Sequence, residues 1–200
     1  MGTKKDMVHG FGINDADYNI AEKEKINGKW KIIKVCKYYS TWTSMIRRCY
    51  SNKSLQKRST YKDCHVCEEW RHFSNFKRWM EQQDYENKCL DKDLLIEGNR
   101  VYSPDTCIFV PVIINNFVLD RNKCRGEYML GVNKKEGRNR FTACCNNPLE
   151  NKQEYLGSFL TELEAHLAWK SRKHQIACLL ADSEYCTDPR LKEVLYNRYL

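Results

Sequence analysis

No apolar run in this sequence approaches the roughly 18–20 residues needed to cross a bilayer. The polar N-terminus does not read as a signal peptide. There is no convincing internal repeat and no low-complexity tract. These absences set the expectation of a soluble, intracellular protein with no membrane partner. What is present is enough for a packed core: 200 residues, 42% of them hydrophobic, with five Trp, twelve Tyr and seven Phe. Wholesale disorder is excluded on that composition. Two hundred residues suit one domain of moderate size or two small ones. Lys and Arg number 34 against 26 Asp and Glu, a formal charge of +8, which favours an anionic partner without choosing its class. The charge is not gathered in one run. Residues 1–120 carry 20 bases and 16 acids, residues 121–182 carry 11 and 7, and the last 18 residues carry three of each. Eleven cysteines in a reducing compartment suggest thiols or metal sites more than disulfides.

Along the chain, residues 1–36 read as an irregular arm packing partly through Phe11, Tyr18 and Trp30. Asn27-Gly28, between Ile26 and Trp30, could close a small hairpin. Trp42, Met45, Ile46 and Cys49 share one face of a helix. A polar loop is expected over Ser51 to Thr60. Trp70, Phe73, Phe76 and Trp79 predict a second helix from about Glu68 to Gln82. Residues 90–96 read as a short strand and Glu97-Gly98-Asn99 as a turn. After Ser103-Pro104-Asp105, one helical turn, an extended piece and a further turn or two around Ile113 to Leu119 are expected. Residues 121–127 look like a basic linker. Three strand candidates follow at 128–132, 140–145 and 153–159. Thr161-x-x-Glu164 then opens a long helix as a capping box, and a short tail helix is expected after Pro189.

The order strand, strand, strand, long helix over 128–182 resembles an AP2-type DNA-binding domain. The pieces that carry the resemblance are Leu130-Gly131-Val132, Arg140-Phe141-Thr142-Ala143, Tyr155-Leu156-Gly157-Ser158-Phe159, and the helix with Glu164-Ala165 and Ala168-Trp169. The resemblance implies an antiparallel sheet lying in the major groove with the helix behind it, and a sheet ribbon suits a groove about 12 Å wide. Leu130, Val132, Phe141, Ala143 and Tyr155 would alternate with groove-facing neighbours, the face of each being left open. The candidate contacts are Asn133, Lys135, Arg138, Arg140, Asn146, Lys152 and Gln153. Arg suits guanine edges, Asn or Gln adenine edges, and Lys mostly phosphates. The polar Cys144-Cys145-Asn146-Asn147 stretch departs from the charged residues usual in plant members.

A second set of residues covers the centre of the chain: Trp42, Met45, Arg48-Cys49-Tyr50, then Tyr61, Cys64, Val66-Cys67-Glu68-Glu69-Trp70, Phe73 and Phe76. Leu90-Asp91-Lys92-Asp93, Gly98-Asn99 and Tyr102-Ser103-Pro104-Asp105-Thr106-Cys107 complete it. This block resembles bacteriophage HNH-type homing endonucleases, which often carry an AP2 domain behind the nuclease-like part. The implied fold is α+β: a small ββα-metal module with flanking helices over 37–120, the AP2-like sheet and helix over 128–182, and a tail over 183–200. The implied activity is metal-dependent cutting or nicking of double-stranded DNA, inside an infected bacterial cell. An alternative is a lapsed, DNA-binding descendant, and a third is a protein-interaction role on a host system. Such chemistry uses Mg²⁺ or Mn²⁺ to stabilise the leaving oxygen and a base to activate water. The family pattern places the metal-binding positions on Asp91 and Asn115, the structural Asn on Thr106, and the base on Lys92. A Lys is a poor base unless burial depresses it by several pKa units, and Asp91 and Asp93 push the other way. It could instead hold a phosphate or stabilise the transition state. His65 and His72 are alternative bases by residue type alone. Cys64-x-x-Cys67 with Cys89 and Cys107 could form a zinc site, but there is no second Cys-x-x-Cys, and buried thiols are favoured. The sequence leaves the oligomeric state and target site open.

Overall fold

The computed structural model describes residues 7–119, 127–135, 137 and 139–200. Most of the expected linker, and the candidate contact Arg138, lie outside the described residues. The fold is mixed α+β. Among the described residues there are six α-helices and several small sheets, one of them three-stranded and antiparallel. No described helix is long and apolar enough to cross a membrane. The chain divides into two compact units, Met1–Phe109 and Val110–Leu200.

The first unit opens with a hairpin, β1 (Ala21–Ile26) and β2 (Lys29–Val35). Asn27 and Gly28 turn it, both at positive φ (53° and 79°). That geometry matches the strand twist and favours Asn-Gly. Trp30, expected to pack, is 70% exposed instead. Helix α1 (Lys37–Tyr50) buries Trp42, Met45, Ile46 and Cys49, as their spacing predicts. The loop expected after it contains a short helix, α2 (Asn52–Lys57). The second expected helix is split. A 3₁₀ turn covers Glu68–Arg71 and α3 runs over Phe73–Met80. The break at His72 comes from the N-terminal segment. Ile13 N–H donates to Arg71 O (2.8 Å), and Phe73 N–H donates to Ile13 O (3.1 Å). Asp15 then supplies the cap that α3 lacks locally, accepting from Ser74 N (2.8 Å) and Ser74 Oγ (2.7 Å). Trp42 Nε1 donates to Trp70 O at 2.7 Å, tying α1 to the turn across the core. Two-residue strands β3 (His65–Val66) and β5 (Val101–Tyr102) pair in parallel. Strand β4 (Lys88–Asp91) is shorter than expected and ends at Asp91. Strand β6 (Ile108–Pro111) carries the chain out of the first unit.

The second unit starts with α4 (Val112–Val118). Its sheet has the order β7 (Val132–Lys134), β8 (Phe141–Asn147), β9 (Lys152–Phe159). Helix α5 (Glu162–Ala181) opens with the expected reciprocal capping box between Thr161 and Glu164. Helix α6 (Pro189–Asn197) buries Leu191 and Leu195. Val132, Ala143 and Ala165 form the centre where sheet meets helix, flanked by Phe141, Leu156 and Trp169. Gly131 lies at φ 78°, and a Cβ there would stand 2.0 Å from the Trp169 ring. Only glycine satisfies both demands. Replacing Gly131 with Ala should cost about 2–4 kcal/mol from αL strain plus overpacking, read by denaturant unfolding.

Glu154 is bound to Arg172 of α5 through two bonds, 2.6 and 3.0 Å, and accepts from Asn147 Nδ2 at 2.8 Å. The Arg172 bonds first, then Asn147, hold its carboxyl at about 2, below its ordinary 4.5. A carboxyl depressed in the folded state stabilises above its unfolded pKa. Its contribution should therefore be complete above pH 4.5 and disappear as pH falls towards 2. Glu154→Gln should flatten that acid limb of the stability profile in thermal melts.

Candidate functional site

Two regions hold the residues that the sequence singles out, one in each unit. In the first, Asp91 ends β4 and turns the chain. Its Oδ1 accepts from the backbone N–H of Asp93 (3.0 Å) and of Leu94 (2.8 Å). Burial first, then the charge of Asp93, pushes the Asp91 carboxyl upward against those two bonds. Lys92 is buried at 6% exposure. Its Nζ donates to Asp93 Oδ2 at 2.9 Å and to Asn99 O at 3.0 Å. Burial works to lower the ammonium, but the bond to Asp93 and its charge outweigh burial, and the net shift is upward. The depressed pKa that a Lys base requires is therefore not produced. The Lys92 ammonium is thus held between the Asp93 carboxylate and the Asn99 carbonyl.

Asn99 pins the other end of the loop. Its Nδ2 donates to Lys92 O (2.6 Å) and Val101 O (2.7 Å), and its Oδ1 accepts from Val101 N–H (3.2 Å). The sequence marks Gly98-Asn99 only as a turn; its role as a three-bond clamp becomes visible in the geometry. Thr106 also holds backbone. Its Oγ1 donates to Val101 O at 2.8 Å and lies 2.9 Å from Ser103 Oγ. Arg48 Nη1 donates to the Tyr102 hydroxyl at 3.3 Å, and its guanidinium is 5.8 Å from the Tyr61 ring and 5.7 Å from the Tyr102 ring. Asn115 lies on α4 in the second unit and is half-buried.

A divalent cation fits the Asp91 loop poorly. The Lys92 ammonium already supplies positive charge beside Asp93, and Asp91 Oδ1 accepts two amides. Among the described residues, no group of three or more His, Cys, Asp or Glu is arranged to hold a metal ion. His65 is exposed on β3, and His72 Nδ1 lies 3.2 Å from Asp15 Oδ2. All ten described cysteines are free thiols. Cys64 and Cys107 are buried, while Cys67 and Cys89 are half-buried. Burial pushes the Cys107 thiol up to about 12 and raises Cys64 and Cys67 as well. Raised thiols hold little thiolate at neutral pH and are weak nucleophiles. An open cleft of about 460 Å³ lies elsewhere in the first unit, beside Trp79 and Arg78, with both acids and amides in its wall.

In the second unit the register sorts the sheet residues. Phe141 faces Phe159, Ala143 faces Gly157 and Cys145 faces Glu154, all on the helix side. Thr142 faces Ser158, Cys144 faces Tyr155 and Asn146 faces Gln153, all on the outward side. The register shifts between Ala143 and Cys144, leaving Leu156 as the extra residue of a bulge. Strict alternation back from Phe159 would put Tyr155 against the helix. The bulge reverses that phase, and Tyr155 is 65% exposed. It also turns Glu154 inward onto Arg172.

Asn133, Lys135, Arg140, Asn146, Lys152 and Gln153 are all exposed. Asn146 and Gln153 lie directly opposite one another, and Asn133 lies opposite Thr142. Arg140 is held in place, its Nε donating to Ser158 Oγ (3.1 Å) and its Nη2 to Ser158 O (2.7 Å). Lys152 pairs with Glu150 in the turn. Tyr155 is the outward residue that sequence reasoning missed. Gly157, at φ 133°, is the signal that could have marked the irregular strand.

No protein-family model matches the chain, and no curated protein or solved structure is detectably similar to it.

Lys92→Ala should strip Asp93 and the Asn99 carbonyl of their shared donor. It should cost about 1–3 kcal/mol in equilibrium unfolding. Unchanged stability would show that the ammonium does not hold the loop.

Proposed function

We propose that the chain is a duplex-DNA-binding protein of the phage HNH–AP2 kind, reading DNA with the outward face of the β7–β8–β9 sheet. The observation that carries this reading is the chemistry of that face. Among the described residues it presents Asn133, Thr142, Cys144, Asn146, Gln153, Tyr155 and Ser158, with no carboxylate. The one acid of β9 that stands within the sheet is turned to the helix and bound to Arg172. Phosphate repulsion is thus removed from the centre of the face, and Lys135 and Arg140 stand at its margin. The opposed amides of Asn146 and Gln153 suit adenine edges, while the cations suit phosphates.

The test is fluorescence anisotropy on duplex oligonucleotides across a salt series. Binding should weaken steeply with salt, and Asn146→Ala with Gln153→Ala should lose about tenfold on a preferred sequence. Binding that is absent at low salt would end this reading.

Metal-dependent cutting is the second reading. It is favoured by the two carboxylates of the loop: burial first, then the charge of Asp93, raises Asp91, and Mg²⁺ or Mn²⁺ would offset that repulsion. Lys92 already offsets it in part, so binding without cleavage is the expected result with supercoiled DNA and either metal. Nicking that Asp91→Ala and Asn115→Ala both abolish would establish the second reading instead.

A further inference from the structure

The hairpin of β1 and β2 has two unlike faces. Directly opposed residues project to the same side of a ribbon. Ile26 opposite Lys29, Glu24 opposite Lys31 and Glu22 opposite Lys34 make one face. It neutralises itself, with Lys34 Nζ 3.5 Å from Glu22. Lys25 opposite Trp30, Lys23 opposite Ile32 and Ala21 opposite Val35 make the other. The register shift between Glu22 and Lys23 leaves Ile33 as the extra residue of β2. The second face carries apolar side chains and two lysines, and none of the hairpin's carboxylates.

That face is open. Trp30 is 70% exposed, Ile32 60% and Val35 41%. A contiguous exposed apolar patch rimmed by charge marks an interaction surface. A two-stranded ribbon is also marginal by itself in water, so a covering partner would stabilise it. The charge identifies the partner's chemistry. The hairpin holds five lysines against two glutamates, and both glutamates stand opposite lysines on the far side. A polyanion meets only cations and apolar groups on the near side. The shape agrees, because the major groove of duplex DNA admits a two-stranded ribbon. Trp30 lies one pair back from the Asn27-Gly28 turn, where a ribbon reaches deepest.

We propose that the β1–β2 hairpin is a second DNA-binding element, entering the major groove with Trp30, Ile32 and Val35 towards base edges and Lys23 and Lys25 at the flanking phosphates. The proposal rests on the duplex-DNA reading above but uses residues of the first unit alone.

The experiment measures duplex binding by the full chain across a salt series, with oligomeric state followed by light scattering. Lys23→Gln with Lys25→Gln should lower the salt slope by about 1.8, the loss of two phosphate contacts. Trp30→Ala with Ile32→Ser should weaken binding about tenfold with the slope retained. These positions are exposed, so an unchanged melting temperature is the control that both variants fold.

Hairpin variants that bind like the unaltered protein, while Asn146→Ala with Gln153→Ala weakens binding, would overturn this proposal and leave the DNA-binding function standing. No binding by the unaltered chain at low salt would overturn both. Self-association lost in the Trp30 and Ile32 variant, with DNA affinity unchanged, would assign the face to a second copy of this chain and overturn the proposal. Weakening by the hairpin variants alone would support it and remove the sheet face from the function.

Discussion

A sheet of three strands can give only one face to a single helix, and that constraint governs the second unit. Every side chain on the sheet must go either to α5 or to the outside, because its period is two. The residues of β9 do not satisfy both ends of the strand with one phase. Phe159 and Gly157 must face inward at one end, and Glu154 must reach Arg172 at the other. One extra residue, Leu156, reconciles them. The ion pair and the bulge therefore belong together: the bulge aims the carboxylate, and the carboxylate's bonds to Arg172 fix the phase. The uncharged outward face follows from that single adjustment.

The same logic of local exceptions explains how far the sequence could be read. Elements whose signals are local were legible. Asn27-Gly28 closes its hairpin, Thr161 and Glu164 cap their helix, and α1 buries the predicted stripe. The break at His72 was not, because its causes lie about 60 residues away in Ile13 and Asp15. Helix propensity continued through His72, and a distant backbone pairing interrupted it. The exposure of Trp30 was misread for the converse reason. An aromatic residue is expected to be buried, yet here a ribbon with no layer behind it leaves the ring in solvent.

At the candidate site, residue type was legible and role was not. Asp91, Lys92 and Asn99 stand in a pattern that suggests chemistry. Asp91 Oδ1, the Lys92 ammonium and the Asn99 amide each bond to another part of the same loop. Lys92 illustrates why charge alone could not decide. Burial and a neighbouring carboxylate pull its proton affinity in opposite directions, and only the 2.9 Å contact with Asp93 shows which prevails. The outward sheet residues were easier to foresee, since exposure follows from strand order. Tyr155 escaped because Gly157 marks an irregular strand without fixing which neighbour is the extra residue.

The tethered ammonium of Lys92 has a consequence for how the first unit meets its surroundings. A counterion supplied by the solution comes and goes with its concentration. One attached to the backbone by four methylenes does not. The charge balance of the loop is thereby written into the covalent chain. The ammonium itself would surrender its proton only at the alkaline extreme.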